Sequence, residues 1–134
     1  MSFHMDVVEA FFEGYGKALT SGDASEIAAY YGTPAMALRS SGASAVLTRS
    51  DLIEAFAGLA ESYRLAHLHQ AFPAVTAMEQ LAPGLISVDV EWTSLDDEGT
   101  PTGHREAYRY LVCREGAHQC IQVVIAKDAG NPEN

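Results

Sequence analysis

ISVDVEWTS, residues 86–94 of the sequence, alternates apolar and polar side chains. Val88, Val90 and Trp92 share one face, whereas Asp89 and Glu91 share the other. This alternation predicts a β-strand with one buried and one solvated face, the type found in antiparallel sheets. The indole of Trp92 is therefore expected to point into the protein.

The same alternation continues on both sides of this stretch. It predicts strands at 67–80, 104–114 and 119–127 beside one at 85–95, with Gly-containing turns between them. The last of these strands, which contains CIQVVIA, is apolar on both faces and should be covered on both. Helices would cover one face, and we expect a second copy of the chain on the outer face, as a homodimer.

Upstream of these strands, apolar residues recur with the helical period. Residues 6–19 and 51–63 each carry an i, i+3, i+4 stripe, and the second stripe contains Phe56. Thr48 followed by Asp51 predicts the N-cap of the longer helix.

A short helix is expected over 24–31, with Asp23 as its N-cap and Gly22 as the C-cap of the helix before it. Short strands are predicted at 34–38 and 45–48, between the short helix and the long one. Helices followed by a run of strands indicate an α+β domain with a mainly antiparallel sheet.

This order of elements resembles the nuclear transport factor 2-like superfamily. The shared features are a helix with a central Tyr15, a Gly-Asp pair, a short helix that ends in Tyr31, a long helix and four strands. The resemblance covers residues 6–128 and implies a single domain over 1–134. It implies three N-terminal helices packed on a strongly curved, mixed but mainly antiparallel sheet, which together form a cone with an apolar pocket. The superfamily includes ketosteroid isomerase, SnoaL-like polyketide cyclases and members with no known activity.

Comparison with ketosteroid isomerase carries over only part of a catalytic site. Tyr15 stands where that enzyme has a tyrosine that polarises the substrate carbonyl. Arg39, beside Leu38, stands where the enzyme has its general-base aspartate, and Tyr110 stands near the position of its second carboxylic acid. The resemblance thus implies a pocket and one hydrogen-bond donor but leaves the base missing.

The residues expected to line the pocket come from the helices, the first strand and the sheet. We predict that the ligand-binding set is Tyr15, Tyr31, Leu38, Arg39, Phe56, Val88, Val90, Trp92, Tyr108 and Tyr110. If Arg39 points inward, its guanidinium favours a carboxylate on an otherwise apolar small ligand. An ordinary exposed arginine is the alternative for this position.

The remaining candidates for a base are His67 and His69, two residues apart at a predicted strand start. They would act as catalytic groups together with Tyr15. Their spacing also suits a metal pair, but further ligands occur in no recognisable spacing, so no metal site is predicted. No cofactor is expected, because glycine-rich phosphate-binding loops are absent from the sequence.

The composition excludes several classes of partner. Eighteen acids and eight bases give a net charge of −10, which repels phosphate backbones, so nucleic acid is not expected as a partner. No apolar stretch approaches the length of a membrane span, and a cytoplasmic location is expected. The only two cysteines, Cys113 and Cys120, are expected to be free thiols on one hairpin.

The sequence therefore leaves two functions open. The first is a pocket that binds a small, apolar, possibly acidic molecule, with proton-transfer chemistry such as isomerisation, dehydration or cyclisation as a further option. The second is a non-catalytic, dimeric association module whose cavity is filled by its own bulky side chains. The volume of the cavity distinguishes the two.

Overall fold

The computed structural model describes residues 4–116 and 118–127, except for the side chain of residue 104. The predicted domain range of 1–134 extends beyond these residues at both ends. Within them, three helices and six strands follow one another along the chain. The helices and strands are α1 Met5–Leu19, α2 Ala24–Ala28, β1 Tyr31–Arg39, β2 Gly42–Val46, α3 Arg49–Leu65, β3 Gln70–Ala82, β4 Leu85–Leu95, β5 Pro101–Glu115 and β6 His118–Lys127.

The strands form one sheet in the order β2-β1-β6-β5-β4-β3. Strands β1 and β6 are parallel, and every other neighbouring pair is antiparallel. Register shifts interrupt the ladders, and such bulges bend a sheet and increase its twist. The predicted α+β class, with helices on a curved, mixed but mainly antiparallel sheet, is confirmed.

The closed end of the fold is a compact apolar core. Val8 and Phe12 of α1 pack with Ile27 of α2 and with Ile86 and Ile121 of the sheet, all 0–1% exposed. A Cβ at Gly16 would lie 2.8 Å from the backbone oxygen of Ala71. Because Gly16 has no side chain, α1 can approach both the sheet backbone and the Trp92 ring closely.

Several of the predicted boundaries in the N-terminal region are wrong. The second short strand covers Gly42–Val46 instead of 45–48. Helix α2 ends at Ala28 rather than at Tyr31, and Tyr31 begins β1. The reason is sheet pairing, because the backbone oxygen of Tyr30 accepts a hydrogen bond from the Ile121 amide at 2.8 Å. Helix α1 likewise ends at Leu19 without using Gly22 as its C-cap.

The predicted N-caps are present. The Asp23 carboxylate accepts a hydrogen bond from the Ser25 amide at the start of α2. The Thr48 hydroxyl accepts one from the Asp51 amide at the start of α3. Asp23 thus has a structural role, which explains the acid between the first two helices.

Candidate functional site

A cavity of about 280 Å³ lies between α3, the concave face of the sheet and the C-terminal half of α1. Apolar side chains form most of its wall, among them Leu19, Leu52, Leu59, Leu68 and Val124. Polar groups occur at its two ends, as tyrosine hydroxyls at the inner end and charged side chains at the mouth. This cavity is the candidate functional site.

Four buried aromatic residues form the inner end: Tyr15, Tyr31, Trp92 and Tyr110, which are 2–7% exposed. The hydroxyls of Tyr15 and Tyr31 are 2.5 Å apart and share one hydrogen bond. The Trp92 Nε1–H donates to the Tyr110 hydroxyl at 2.9 Å. The ring of Tyr15 packs at centroid distances of 5.8–6.0 Å against the other three.

These hydroxyls are protonated at neutral pH. Burial, followed by the nearby Tyr31, raises the pKa of both Tyr15 and Tyr110 well above the usual value. Burial also raises the pKa of Tyr31. Each group therefore keeps a proton that it can donate.

Two of these protons remain available for a ligand. In the Tyr15–Tyr31 pair only one hydroxyl donates to the other, so one proton of the pair is left over. Tyr110 accepts from Trp92, and its own proton has no acceptor among the described residues. The inner end can thus donate hydrogen bonds to an oxygen atom in the cavity.

Helix α3 supplies the opposite wall. Of its seventeen residues only Leu52 is buried, while Phe56, Leu59 and Tyr63 are half-buried and line the cavity. The ring of Phe56 lies 4.9 Å from that of Tyr31, which joins the helix to the inner end. The apolar face of α3 therefore borders open space as well as protein.

The mouth carries one cation and one carboxylate among the described residues that line the cavity, Arg39 and Glu106. The Tyr108 hydroxyl donates to Glu106 Oε1 at 2.7 Å. Burial and this carboxylate raise the pKa of Tyr108 above its usual value. Burial, with a contribution from Glu106, also raises the pKa of Tyr63 to about 12.

Glu106 is the charged residue of the cavity wall that sequence reasoning missed. It precedes Tyr108 and Tyr110 at two-residue spacing and lies opposite Trp92 in the register of β4 and β5. Because alternate residues of a strand share a face, an inward Tyr110 places Glu106 inward too. The sequence holds that signal, but it does not show which face of 104–114 points inward.

Seven of the ten residues predicted to bind a ligand line this cavity: Tyr15, Tyr31, Arg39, Phe56, Trp92, Tyr108 and Tyr110. The other three do not. Val88 and Val90 are at most 1% exposed and belong to the buried core, so they lie behind the residues that line the cavity. Leu38 lies between the cavity-lining Ala37 and Arg39 and pairs with Ile125, so it points to the outer face.

The two histidines lie outside the cavity, which removes them as bases for a ligand within it. The Nδ1 atom of His67 is 3.2 Å from Asp97 Oδ2, and the side chains of His67 and His69 are 73% and 63% exposed. Both precede β3, which begins at Gln70 instead of at residue 67. Among the described residues, no group of His, Cys, Asp or Glu is placed to hold a metal ion.

The outer face of the sheet carries a separate charged cluster. Arg109 donates two hydrogen bonds to Asp89 at 2.7 and 3.1 Å, and Lys127 donates a third at 3.2 Å. The hydrogen bond from Arg109 is the main cause that lowers the pKa of Asp89, and Lys127 adds to it. Glu91 pairs with Arg105 instead. Asp89 and Glu91 therefore form ion pairs on the outer face of the sheet and do not line the cavity.

No helix among residues 4–116 and 118–127 is long and apolar enough to cross a membrane. In the same part of the chain, Cys113 and Cys120 face each other on β5 and β6 as free thiols.

Solved structures with a similar fold have low sequence identity to this chain. An NTF2-like protein with a cystatin-like fold from Novosphingobium aromaticivorans has a TM-score of 0.72 at 12% identity, covering 96% of this chain and 83% of that one. ActVI-ORFA from Streptomyces coelicolor has a TM-score of 0.70 at 14% identity, covering 92% and 93%. An NTF-2 like protein of unknown function from Shewanella oneidensis has a TM-score of 0.68 at 15% identity, covering 92% and 98%.

These likenesses are to the fold alone. Among curated proteins, none matches this chain. A family model does match, and it spans residues 5–129. The chain belongs to the NTF2-like protein family DUF6841.

Proposed function

We propose that this protein binds a small, largely apolar organic molecule that carries an oxygen acceptor. The observation that carries the proposal is the cavity of about 280 Å³, with apolar walls and an unused Tyr110 hydroxyl proton at its inner end. Pockets for small molecules are mostly apolar, with a few placed polar groups that fix orientation. The volume suits a molecule of one or two rings.

The polar groups predict how the ligand lies. Its oxygen would accept hydrogen bonds from Tyr110 and from the free proton of the Tyr15–Tyr31 pair. Its rings would fill the space between Trp92 and the apolar face of α3. Burial of apolar ligand surface against that face would provide most of the affinity.

The mouth tolerates an acidic substituent on one side only. The Arg39 guanidinium attracts a carboxylate, whereas the Glu106 carboxylate repels one. An acidic ligand would therefore place its charge toward β1, on the side of Arg39. Because Arg39 is exposed, its contribution to affinity is expected to be at most about fivefold.

A matched pair of probes tests the binding mode. 1-Tetralone and tetralin have the same ring skeleton, but only the ketone has an oxygen acceptor. We expect tetralone to bind more tightly, and Tyr110→Phe to reduce its advantage roughly five- to tenfold, the effect of losing one hydrogen bond. Tyr30→Phe, which removes a hydroxyl that does not line the cavity, is the control. No binding of either probe would contradict the proposal.

An association module is the second candidate, and the outer face favours it. Leu111, Val123 and Ile125 are half-buried there, close to the Asp89 cluster. We propose a homodimer through this face; the self-filled cavity is disfavoured by the open volume. Ile125→Asp should reduce the mass measured by light scattering by half, whereas an unchanged mass would contradict the dimer.

A further inference from the structure

We infer that Cys113 and Cys120 form a redox-active dithiol, which a small disulfide oxidises to a reversible disulfide bond between β5 and β6. The pair lies on the outer face of the sheet, so this inference is independent of the cavity and of the proposed binding function. The reagent class is a low-molecular-weight disulfide of the glutathione type. Both cysteines are free thiols in the structure, which therefore shows the reduced form.

The first support is the register of the two strands. Cys113 and Cys120 are direct partners across β5 and β6. The next residue, Arg114, turns its amide to the other side, where it donates a hydrogen bond to the Gly84 oxygen. The backbone groups of Cys113 therefore point to β6, which makes the cysteines a hydrogen-bonded pair with Cα atoms about 5.5 Å apart. Disulfides join residues whose Cα atoms are about 4.4–6.8 Å apart, so the pair is within range.

The second support is that both side chains leave the sheet on the same face. The preceding residue on β5, Val112, and the following residue on β6, Ile121, are also partners, and both are buried in the core. Because successive side chains of a strand alternate, Cys113 and Cys120 point to the outer face. Each cysteine is half-buried, which leaves part of it open to a small oxidant.

The third support is the space that the fold leaves for Cys120 Sγ in the reduced form. A Cβ atom at Gly32 of β1 would lie 2.8 Å from this sulfur, closer than real side chains approach. The thiol also donates a weak hydrogen bond to Gln122 Oε1 at 3.8 Å. The sulfur thus rests over β1 in room that a glycine leaves, and it must rotate about χ1 toward β5 to meet Cys113.

Electrostatics make the two thiols slow to react. Burial, followed by the charge of Glu115, raises the pKa of Cys113. Burial also raises the pKa of Cys120, to which Cys113 and Glu115 add, whereas Arg49 opposes the shift. The thiolate is the form that attacks a disulfide, and it is therefore a small fraction of each cysteine at neutral pH. Mildly alkaline buffer should speed the reaction.

Two exchange steps form the bond. One cysteine thiolate attacks a sulfur of oxidised glutathione, and the other half of the reagent leaves as a thiolate, so the protein carries a mixed disulfide. The second cysteine thiolate then attacks the cysteine sulfur of that mixed disulfide and releases the remaining glutathione thiolate. The two protons lost by the cysteines are taken up by the two glutathione thiolates. The dithiol is oxidised by two electrons, and the reagent is reduced by two.

The bond should be easy to reduce. Cβ atoms of directly opposed residues in a sheet are about 5 Å apart, whereas those of a disulfide are about 4 Å apart. Closure must therefore pull β5 and β6 together, and this cost favours the dithiol. We expect a reversible bond instead of a permanent structural one.

Incubation of the purified protein with excess oxidised glutathione in mildly alkaline buffer tests the pair. Intact mass spectrometry after acid quenching should show a monomer lighter by two hydrogen atoms and without glutathione, and iodoacetamide should label no thiol. Trypsin cleaves after Arg109, Arg114 and Lys127, so the bond should link the peptides 110–114 and 115–127. Dithiothreitol should restore both thiols.

Cys113→Ser and Cys120→Ser each remove one half of the pair. Each variant should keep one glutathione as a mixed disulfide, because no second thiol is present to release it. Gly32→Ala should crowd the resting position of the sulfur and speed the closure step about twofold to tenfold, the effect of destabilising one rotamer. Gly58→Ala is its matched control, because a Cβ there would meet no other described part of the protein within 4 Å.

The outcomes separate the inference from its alternatives. A linked peptide pair in a monomer, together with single adducts in both serine variants, supports the dithiol. Unreacted thiols, stable glutathione adducts on both cysteines, or a disulfide that joins two chains would overturn it. An unchanged closure rate in Gly32→Ala would overturn the resting position over β1.

Discussion

Helices α1 and α3 carry the same kind of apolar stripe in the sequence, yet they use it differently. Helix α1 buries six residues, including Val8 and Phe12, against α2 and the sheet. Helix α3 is two residues longer and buries only Leu52. Its half-buried Phe56, Leu59 and Tyr63 line the cavity instead. Periodicity therefore predicts which face of a helix points inward, but not whether protein atoms fill the space there.

Truncation of one phenylalanine on each helix should give the largest difference. Phe12 is 0% exposed and packs on the rings of Tyr15 and Tyr110, so Phe12→Ala should lower the free energy of unfolding by about 3–5 kcal/mol. Phe56 already borders open space, and Phe56→Ala should lower it by only about 1 kcal/mol. Urea unfolding measures both values. Equal losses would mean that α3 is packed as tightly as α1.

A larger side chain on α3 should remove binding with little effect on stability. Leu59 lines the cavity, so Leu59→Trp places an indole in the space that a ligand would occupy. We expect 1-tetralone affinity to fall at least about tenfold while the free energy of unfolding changes by less than about 1 kcal/mol. Leu65→Trp is the matched control, because Leu65 is 64% exposed on the same helix. Full affinity in Leu59→Trp would place the ligand elsewhere.

The N-cap of α3 should have the smallest effect of the three. The Thr48 hydroxyl accepts from the Asp51 amide at 3.1 Å, whereas the side chain of His4, the N-cap residue of α1, makes no capping hydrogen bond. Thr48→Ala should lower the free energy of unfolding by about 1 kcal/mol, and Thr48→Ser should restore most of it. A thermal unfolding series checks both. No loss in Thr48→Ala would show that the cap hydrogen bond does not stabilise α3.

Much of the fold follows from the sequence because local patterns and tertiary contacts agree there. The strand at 85–95 and the inward indole of Trp92 follow from simple alternation, and the cap at Thr48 follows from its hydroxyl and spacing. The end of the short helix does not, because Tyr31 is drawn into β1 by pairing with β6, a partner ninety residues away. Helix propensity depends on neighbouring residues only, so it does not predict this distant pairing.

The site was less predictable for two physical reasons. Both faces of β5 carry large side chains, with Tyr108 and Tyr110 on one and Arg109 and Leu111 on the other, so alternation did not identify the inward face or Glu106. His67 and His69 lie outside the cavity for a different reason. The chain turns after α3 at His67, whose φ of 60° is left-handed, and β3 starts later than its apolar pattern indicates.

The apolar face of α3 should border a bound ligand, whereas the N-terminal half of α1, which carries Val8 and Phe12, borders only protein. Intermolecular nuclear Overhauser effects between bound 1-tetralone and the protein methyl groups test it directly. We expect contacts from tetralone protons to the methyl groups of Leu52 and Leu59 on α3, and none to those of Val8 on α1. Contacts to neither helix, or only to residues of the outer face such as Ile125, would contradict it.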